Sequence, residues 1–375
     1  MVWHHLYDTS SARDSGTLYA MRNYIDARNV SSEPHNRYYA SSEFLDKVTD
    51  SYLIAGALHH FGMSSVDDEP TTNLFEGSAL DSDAKKKYVV KVISDFLEEH
   101  VITNTPELSM TAPISNDLKC RVCSKPYKRP KALAKHELEK HNIREETVQV
   151  QHTAAEKEDR IKNYTRQLLI LLLLRADHND AIKYGDGERV IRLYKYFCLY
   201  FKVSECPKYA LAMLHLQAQV HCLLSPRLAH SLTWNRYVNH RGKPDTNHPM
   251  DLEIEHDNKS FKNDCHSYRG EITDKSMQRV GRSTETSDRV VNNFDKITQV
   301  VKPSGKHTMM STTEDVLLLV DHLLPNEVFR MVPGRAHSCF PDMPQNILER
   351  LDCGKLKDWI SQSLKKFGKK HYYRI

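Results

Sequence analysis

The stretch LKCRVCSKPYKRPKALAKHELEKH, Leu118–His141, has a spacing of cysteines and histidines that dictates a local fold. Two residues separate Cys120 from Cys123, and twelve more precede His136. Four further residues lead to His141. This spacing is typical of a tetrahedral zinc site, in which a hairpin supplies two thiolates and a helix supplies two imidazoles. We therefore predict that these four residues bind Zn²⁺, and that metal binding and folding of so small a unit are coupled.

The residues between the ligands also suit such a unit. Tyr127 and Leu133 occupy the two positions of its small apolar core, and Pro130 can begin a helix, where its missing N–H costs nothing. With these features the stretch resembles the C₂H₂ zinc finger of DNA-binding proteins. It departs at Leu118, where such fingers more often have an aromatic residue. The resemblance implies a ββα fold for residues 118–141.

The same resemblance implies which residues of the finger bind nucleic acid, namely Arg129, Lys131 and Lys135. Arg129 has the bidentate fork that recognises guanine, and Lys135 offers a point donor. Because one finger covers about 3 base pairs, it needs further basic contacts, a dimer or a target without defined sequence. A finger that contacts a protein, or has only a structural role, remains the alternative.

Positive charge is local in this chain. The formal net charge is only +4, whereas the stretch Leu118–His141 has eight Lys or Arg and two Glu. Nucleic-acid binding would therefore depend on local patches such as the finger. The basic end from Lys365 to Arg374 is interpreted as a solvated tail, with a nuclear import signal or a phosphate-binding arm as the alternative.

Six of the eight cysteines lie outside the finger and show no paired spacing. They are Cys198, Cys206, Cys222, Cys265, Cys339 and Cys353. Most of them lie in apolar helical stretches, which favours buried thiols over disulfides. Together with a zinc–thiolate site, this indicates a reducing, intracellular compartment.

Outside the finger, apolar residues recur at helical spacing, and no strand is predicted. The longest apolar run, Leu168–Leu174, is interpreted as a core helix because it is far shorter than the roughly 20 residues that span a bilayer, so no membrane partner is expected. The predicted fold class is mainly α, a helical domain with one inserted ββα zinc finger. The predicted divisions are an N-terminal helical part (1–104), a linker (105–117), the finger (118–141), a linker or helix (142–158), a helical core (159–345), and a C-terminal helix with a basic tail (346–375).

Longer motifs lie on both sides of the finger. They are SSARDSGTLYAMRNYIDARNV (Ser10–Val30), YGDGERVIR (Tyr184–Arg192), YALAMLHLQAQVHCLLSPRLAHSLTWNR (Tyr209–Arg236), VNHRG (Val238–Gly242), DLEIEHDN (Asp251–Asn258) and KPSGKH (Lys302–His307). With these motifs most of the chain outside roughly residues 105–155 resembles the eukaryotic domain of unknown function 6589. The resemblance implies an origin in mobile elements, and a finger inserted in a subset of members. It also implies a segment upstream of Trp3 with short acidic motifs and a nuclease-like role.

Two further groups of polar residues are candidate sites. Asp186 and Glu188 could hold a divalent ion, but a helix N-terminus needs the same residues for capping, and no third ligand can be assigned. We therefore predict capping. For the group Glu253, Glu255, His256 and Asn258 we predict a hydrogen-bonded buried network, since Glu255 and His256 do not share a helix face.

Adjacent histidines occur twice, at His4–His5 and at His59–His60. Neighbouring side chains on a helix point apart, which favours surface or core roles over metal binding. No residue is assigned a catalytic role. The combined prediction is a zinc-dependent nucleic-acid-binding protein of the nucleus, on a scaffold derived from a mobile element. The alternatives are a protein-binding finger, with a possible homodimer, and an inactive transposase or nuclease remnant.

Overall fold

The computed structural model describes residues 2–74, 82–102, 118–119, 123, 126–127, 140, 158–240, 242–267, 272–299 and 312–372. These residues are mainly helical, which confirms the predicted class at that level. The α-helices are α1 (Val2–Leu6), α2 (Leu18–Tyr24), α3 (Tyr38–His60), α4 (Ser82–His100), α5 (Arg160–Tyr184), α6 (Gly187–Val203), α7 (Pro207–Ala218), α8 (Pro226–Trp234), α9 (Met250–Ser267), α10 (Asp274–Ile297), α11 (Thr313–Leu323) and α12 (Cys353–Tyr372). The strands are β1 (Leu118–Lys119), β2 (Pro126–Tyr127), β3 (Tyr237–Val238) and β4 (His248–Pro249), and the short 3₁₀ or π turns are Thr9–Arg13, Pro34–Arg37, Gln219–Leu223 and Ile347–Arg350.

The main hydrophobic core joins helices from both sides of the finger. Helix α3 packs against α5 and α11, and the leucine run of α5 lies among them. The leucines at positions 168, 169, 171 and 172 have no solvent exposure, which confirms that this run is a core helix. Burying a leucine side chain contributes roughly 1.5–3 kcal/mol, so the run is a main source of stability for the whole helical body.

Asp159 fixes the point at which the chain enters α5. Its Oδ1 accepts hydrogen bonds from the backbone N–H groups of Ile161 and Lys162, both at 3.0 Å. Its Oδ2 accepts from the backbone N–H of Val332 at 2.8 Å and from the Arg335 guanidinium at 2.7 Å. The carboxylate thus satisfies the first unpaired N–H groups of the helix and ties α5 to the segment after α11.

A smaller hydrophobic cluster places the segment that follows α8. Ala181, Val190 and Leu193 are buried between α5 and α6, and Tyr237 packs against them. Tyr237 lies in β3, which pairs antiparallel with β4 so that Tyr237 is opposite Pro249. The prediction of no strand outside the finger hairpin is wrong here. Strands of two residues are too short to show the alternation by which a strand is recognised in a sequence.

The ends of the described segments bear on two further predictions. Helix α12 continues through Lys365 and Lys366 to Tyr372, so the described part of the basic end is helical. The predicted linker 105–117, and all of the predicted segment 142–158 except its last residue, lie outside the described residues. Among the helices that the structure describes, none combines the length and apolar character needed to cross a membrane.

Candidate metal centres

The predicted finger is described at six residues, which include both strands of its hairpin. Strand β1 pairs antiparallel with β2, with Leu118 opposite Tyr127 and Lys119 opposite Pro126. Cys123 lies in the turn between the strands and is exposed, and Lys140 is helical. The order of a hairpin followed by helical backbone is the order expected of a ββα unit.

The remaining finger positions lie outside the described residues. They are the predicted ligands Cys120, His136 and His141, and the predicted nucleic-acid-binding residues Arg129, Lys131 and Lys135. Strands β1 and β2 pair on either side of residues 120–125, which include both cysteines. Two cysteines separated by two residues between paired strands can present both thiolates to one Zn²⁺ ion. The donor types and the hairpin therefore fit zinc.

The motif at the start of α6 is a cap and a close packing point. Asp186 is the N-cap residue, and its Oδ1 accepts a hydrogen bond of 3.0 Å from the backbone N–H of Arg189. Gly187 lies against α8, where an added Cβ would be 2.1 Å from the carbonyl oxygen of Thr233. The predicted capping role of Asp186 is confirmed. Glu188 lies in the first turn, where a negative charge favours the helix dipole.

Glu253, near the start of α9, lies between two histidines. Its Oε1 is 2.8 Å from His240 Nε2, and its Oε2 is 3.0 Å from His248 Nε2. The two imidazole rings have centroids 5.2 Å apart and planes inclined by 33°. Hydrogen bonds from His248 and from His240 lower the pKa of Glu253 from its ordinary value. One carboxylate therefore holds two imidazoles, each of which directs its Nε2 atom at a different carboxylate oxygen.

The prediction of a buried network on α9 is wrong. Glu255 and Asn258 are exposed, and the partners of Glu253 come from the β3–β4 segment instead of its own helix. The His256 side chain lies outside the described residues. A sequence signal for the actual group existed, because His240, His248 and Glu253 fall within 14 residues. Only the strand pairing, however, shows that these three side chains meet.

Side-chain hydrogen bonds hold the segment between β3 and β4 in shape. Asn239 Oδ1 accepts from the backbone N–H of Gly242 at 2.8 Å and from Thr246 Oγ1 at 2.9 Å. At the other end, Asn247 Nδ2 donates to the carbonyl oxygen of Lys183, at the C-terminus of α5, over 2.8 Å. These bonds and the β3–β4 pairing fix both histidine-bearing positions relative to the helical body.

A second group of donors lies where α3 and α4 end. His59, Glu99 and His100 each place one ligand atom within 4.8 Å of the others. His59 is exposed and His60 is buried, so this adjacent pair points apart as predicted. Even so, His59 approaches His100, with ring centroids 5.7 Å apart. The spacing of residues in the sequence gives no sign of this contact, because His59 and His100 lie on two helices that are distant in the sequence.

Positive charge surrounds this second group. Burial lowers the pKa of His100 to about 3, and the charges of Lys162 and Arg166 act in the same direction. Arg166 also donates a hydrogen bond of 3.3 Å to the carbonyl oxygen of Glu99. A dication bound here would be repelled by two cationic side chains. The group around Glu253 is therefore the better candidate metal centre.

Comparison with known proteins adds a family to these observations. A family model described as "Family of unknown function (DUF6589)" matches residues 1–307. The match confirms the resemblance indicated by the motifs of the helical segments. No curated protein and no solved structure matches the chain.

Proposed function

The chain belongs to the family of unknown function DUF6589, and we propose that it binds nucleic acid through one zinc-dependent C₂H₂ finger presented by a helical scaffold. The proposal rests on the hairpin in which Leu118–Lys119 pairs with Pro126–Tyr127. This pairing is what the Cys120–Cys123 spacing requires if both thiolates are to bind one ion. The cofactor proposed is Zn²⁺, and Cys120, Cys123, His136 and His141 are its proposed ligands.

The charge of the finger supports nucleic acid as the partner. Residues 118–141 contain eight Lys or Arg and two Glu, so the unit has a large local excess of positive charge. We assign the contacts to Arg129, Lys131 and Lys135. A single finger reads about 3 base pairs, so most of the affinity would come from phosphates and would fall steeply as salt is added.

Helix α12 supplies a second basic element to this proposal. Lys365 and Lys366 are exposed on its last turns. Phe367 packs against His215 of α7, with ring centroids 4.5 Å apart, and so anchors this part of the helix. An anchored basic helix can add phosphate contacts that one finger lacks. Nuclear localisation and an origin in a mobile element belong to the same proposal.

A protein partner is the second candidate, and the surface of α10 favours it. Val290, Val291, Phe294 and Ile297 are each more than half exposed in the described structure. Their spacing places Val290, Phe294 and Ile297 on one helix face. Exposed apolar side chains that share a helix face are typical of contact surfaces. A homodimer or a protein bound to this helix would leave the finger free for its own target.

The decisive test compares three full-length proteins in zinc-containing buffer. The intact chain, Cys120→Ser and Cys222→Ser are each mixed with a random duplex DNA pool at two salt concentrations. Cys222 is exposed and lies outside the finger, so Cys222→Ser controls for the loss of a thiol. We expect binding by the intact chain and the control, weakening with salt, and no binding by Cys120→Ser.

A second series separates DNA contacts from folding of the finger. The Lys131→Ala protein should keep its zinc. The slope of log affinity against log salt concentration should fall by about 1, which corresponds to the loss of one phosphate contact. Equal DNA binding by the intact chain and Cys120→Ser would refute a role for the finger. Absence of binding by all the proteins would refute nucleic acid as the partner.

A further inference from the structure

We propose that His240, His248 and Glu253 form a second Zn²⁺ centre, separate from the finger. Both imidazoles direct Nε2 at the same carboxylate, at 2.8 Å for His240 and 3.0 Å for His248. Two histidines and one carboxylate are a donor set that zinc accepts when a fourth position is left to water. His240 is 59% exposed, so solvent reaches the group and can supply that ligand.

The separations of the three donor groups are compatible with one bound ion. With zinc bonds of about 2.0–2.1 Å in tetrahedral geometry, neighbouring ligand atoms lie about 3.3 Å apart. In the structure one ligand atom from each of His240, His248 and Glu253 lies within 4.8 Å of the other two, so modest side-chain movements would bring the three donors to that spacing. Rotation of the partly exposed side chains provides such movements. On binding, each imidazole would carry its proton on Nδ1 and present the Nε2 lone pair to the metal.

The backbone that presents these ligands is already ordered. His248 is a residue of β4 and pairs with Val238, which precedes His240 by two positions. The backbone N–H of Met250 donates to the carbonyl oxygen of Arg236 over 2.8 Å, which continues this pairing to the start of α9. Because His248 lies in the paired strands and Glu253 on a helix, these two ligands lose little conformational entropy when a metal binds.

Local charge also favours a cation at this position. Glu253 contributes a carboxylate, whose negative charge attracts a dication. The alternative arrangement at His59, Glu99 and His100 has the positive charges of Lys162 and Arg166 nearby. Because like charges repel most strongly where solvent is excluded, a dication is expected at Glu253 and not there.

The test uses the full-length chain in a background that lacks the finger site, Cys120→Ser/Cys123→Ser. Zn²⁺ binding is measured by calorimetry and by metal analysis after gel filtration. We expect roughly one Zn²⁺ per chain in this background, and a melting temperature that rises with Zn²⁺. Co²⁺ should bind with visible bands that lack a thiolate charge-transfer band, because no sulfur ligates this site.

Three variants in the same background identify the ligands. His248→Ala and Glu253→Gln should each weaken Zn²⁺ binding by at least roughly tenfold, whereas His230→Ala, an exposed histidine outside the group, should leave it unchanged. Glu253→Gln keeps the size and hydrogen-bonding capacity of the side chain, so it is expected to fold even if His248→Ala does not.

Two outcomes would overturn the proposal. One is absence of Zn²⁺ binding by the double-serine background. The other is equal binding by Glu253→Gln and His230→Ala, which would make the group a hydrogen-bonded clasp between the β3–β4 segment and α9. Since the background has no functional finger, neither outcome bears on nucleic-acid binding by the intact chain.

Discussion

Replacing Asp159 with alanine should destabilise the helical body more than the loss of any exposed charge. The mutation removes the N-cap of α5, which costs about 1 kcal/mol. It also leaves the Arg335 guanidinium, whose side chain is only 18% exposed, without its carboxylate. Unpairing a largely buried charge costs about 3 kcal/mol or more. The expected total is about 4 kcal/mol, a large share of the roughly 5–15 kcal/mol that stabilises an ordinary domain.

The assay is urea unfolding followed by circular dichroism, for Asp159→Ala, Arg335→Ala and the double variant. Because the two side chains form one ion pair, the double variant should lose clearly less than the sum of the single losses. Glu285→Ala is the matched control, because Glu285 forms an exposed ion pair with Arg289. This variant should lower the free energy of unfolding by less than about 0.5 kcal/mol.

A loss by Asp159→Ala as small as that of the Glu285→Ala control would refute this account of how α5 is anchored. So would full additivity of the Asp159 and Arg335 variants. Zinc content offers a further check. If the finger folds around its own ion, Asp159→Ala should retain zinc at temperatures where the helical body remains folded.

Three further predictions concern packing and pH. Gly187→Ala should lower the free energy of unfolding by about 1–3 kcal/mol in thermal melts, because its Cβ would meet the Thr233 carbonyl oxygen. Gly368→Ala should raise the free energy of unfolding by roughly 0.5–1 kcal/mol, because a Cβ at Gly368 would have no atom within 4 Å. Equal effects of the two variants would contradict the close packing at Gly187. Leu171→Ala should lower the free energy of unfolding, measured in urea, by about 2–5 kcal/mol, since Leu171 is fully buried. A loss of under about 1 kcal/mol would contradict a core position for Leu171. Stability should fall as the pH is lowered below 6.5, because His100, with its pKa lowered to about 3, takes up a proton there only in the unfolded chain. The unfolding free energy should change by at most about 1.4 kcal/mol per pH unit for one group. The same dependence on pH in His100→Phe would show that other groups cause it.

Several features were predictable from the sequence because their causes are local. The leucine run of α5 is buried as its unbroken apolar character indicates, and Asp186 caps α6 as its place before a helix indicates. The hairpin strands β1 and β2 pair with each other, and Cys123 lies in the turn between them. Residue type and spacing are sufficient here, because an apolar run, a helix cap and a short hairpin are each defined by residues close together in the sequence.

The candidate site around Glu253 shows why other features were not predictable. Its position in the sequence groups Glu253 with its neighbours on α9, yet its partners are His240 and His248. Their meeting depends on the register of β3 and β4, which is held in place by Tyr237 against the buried side chains of α5 and α6. A strand of two residues leaves no periodic signal that would give this register.

The sequence by itself thus determined the helical class, the core helix, the cap of α6 and the expectation of a zinc-binding finger, all from residues adjacent along the chain. Only the tertiary structure decided which distant residues meet: α3 with α11 in one core, His59 with His100, and His240 and His248 with Glu253. The physical reason is that such contacts depend on how whole elements pack. Packing is set by buried side chains throughout the domain, and no local pattern of residues encodes it.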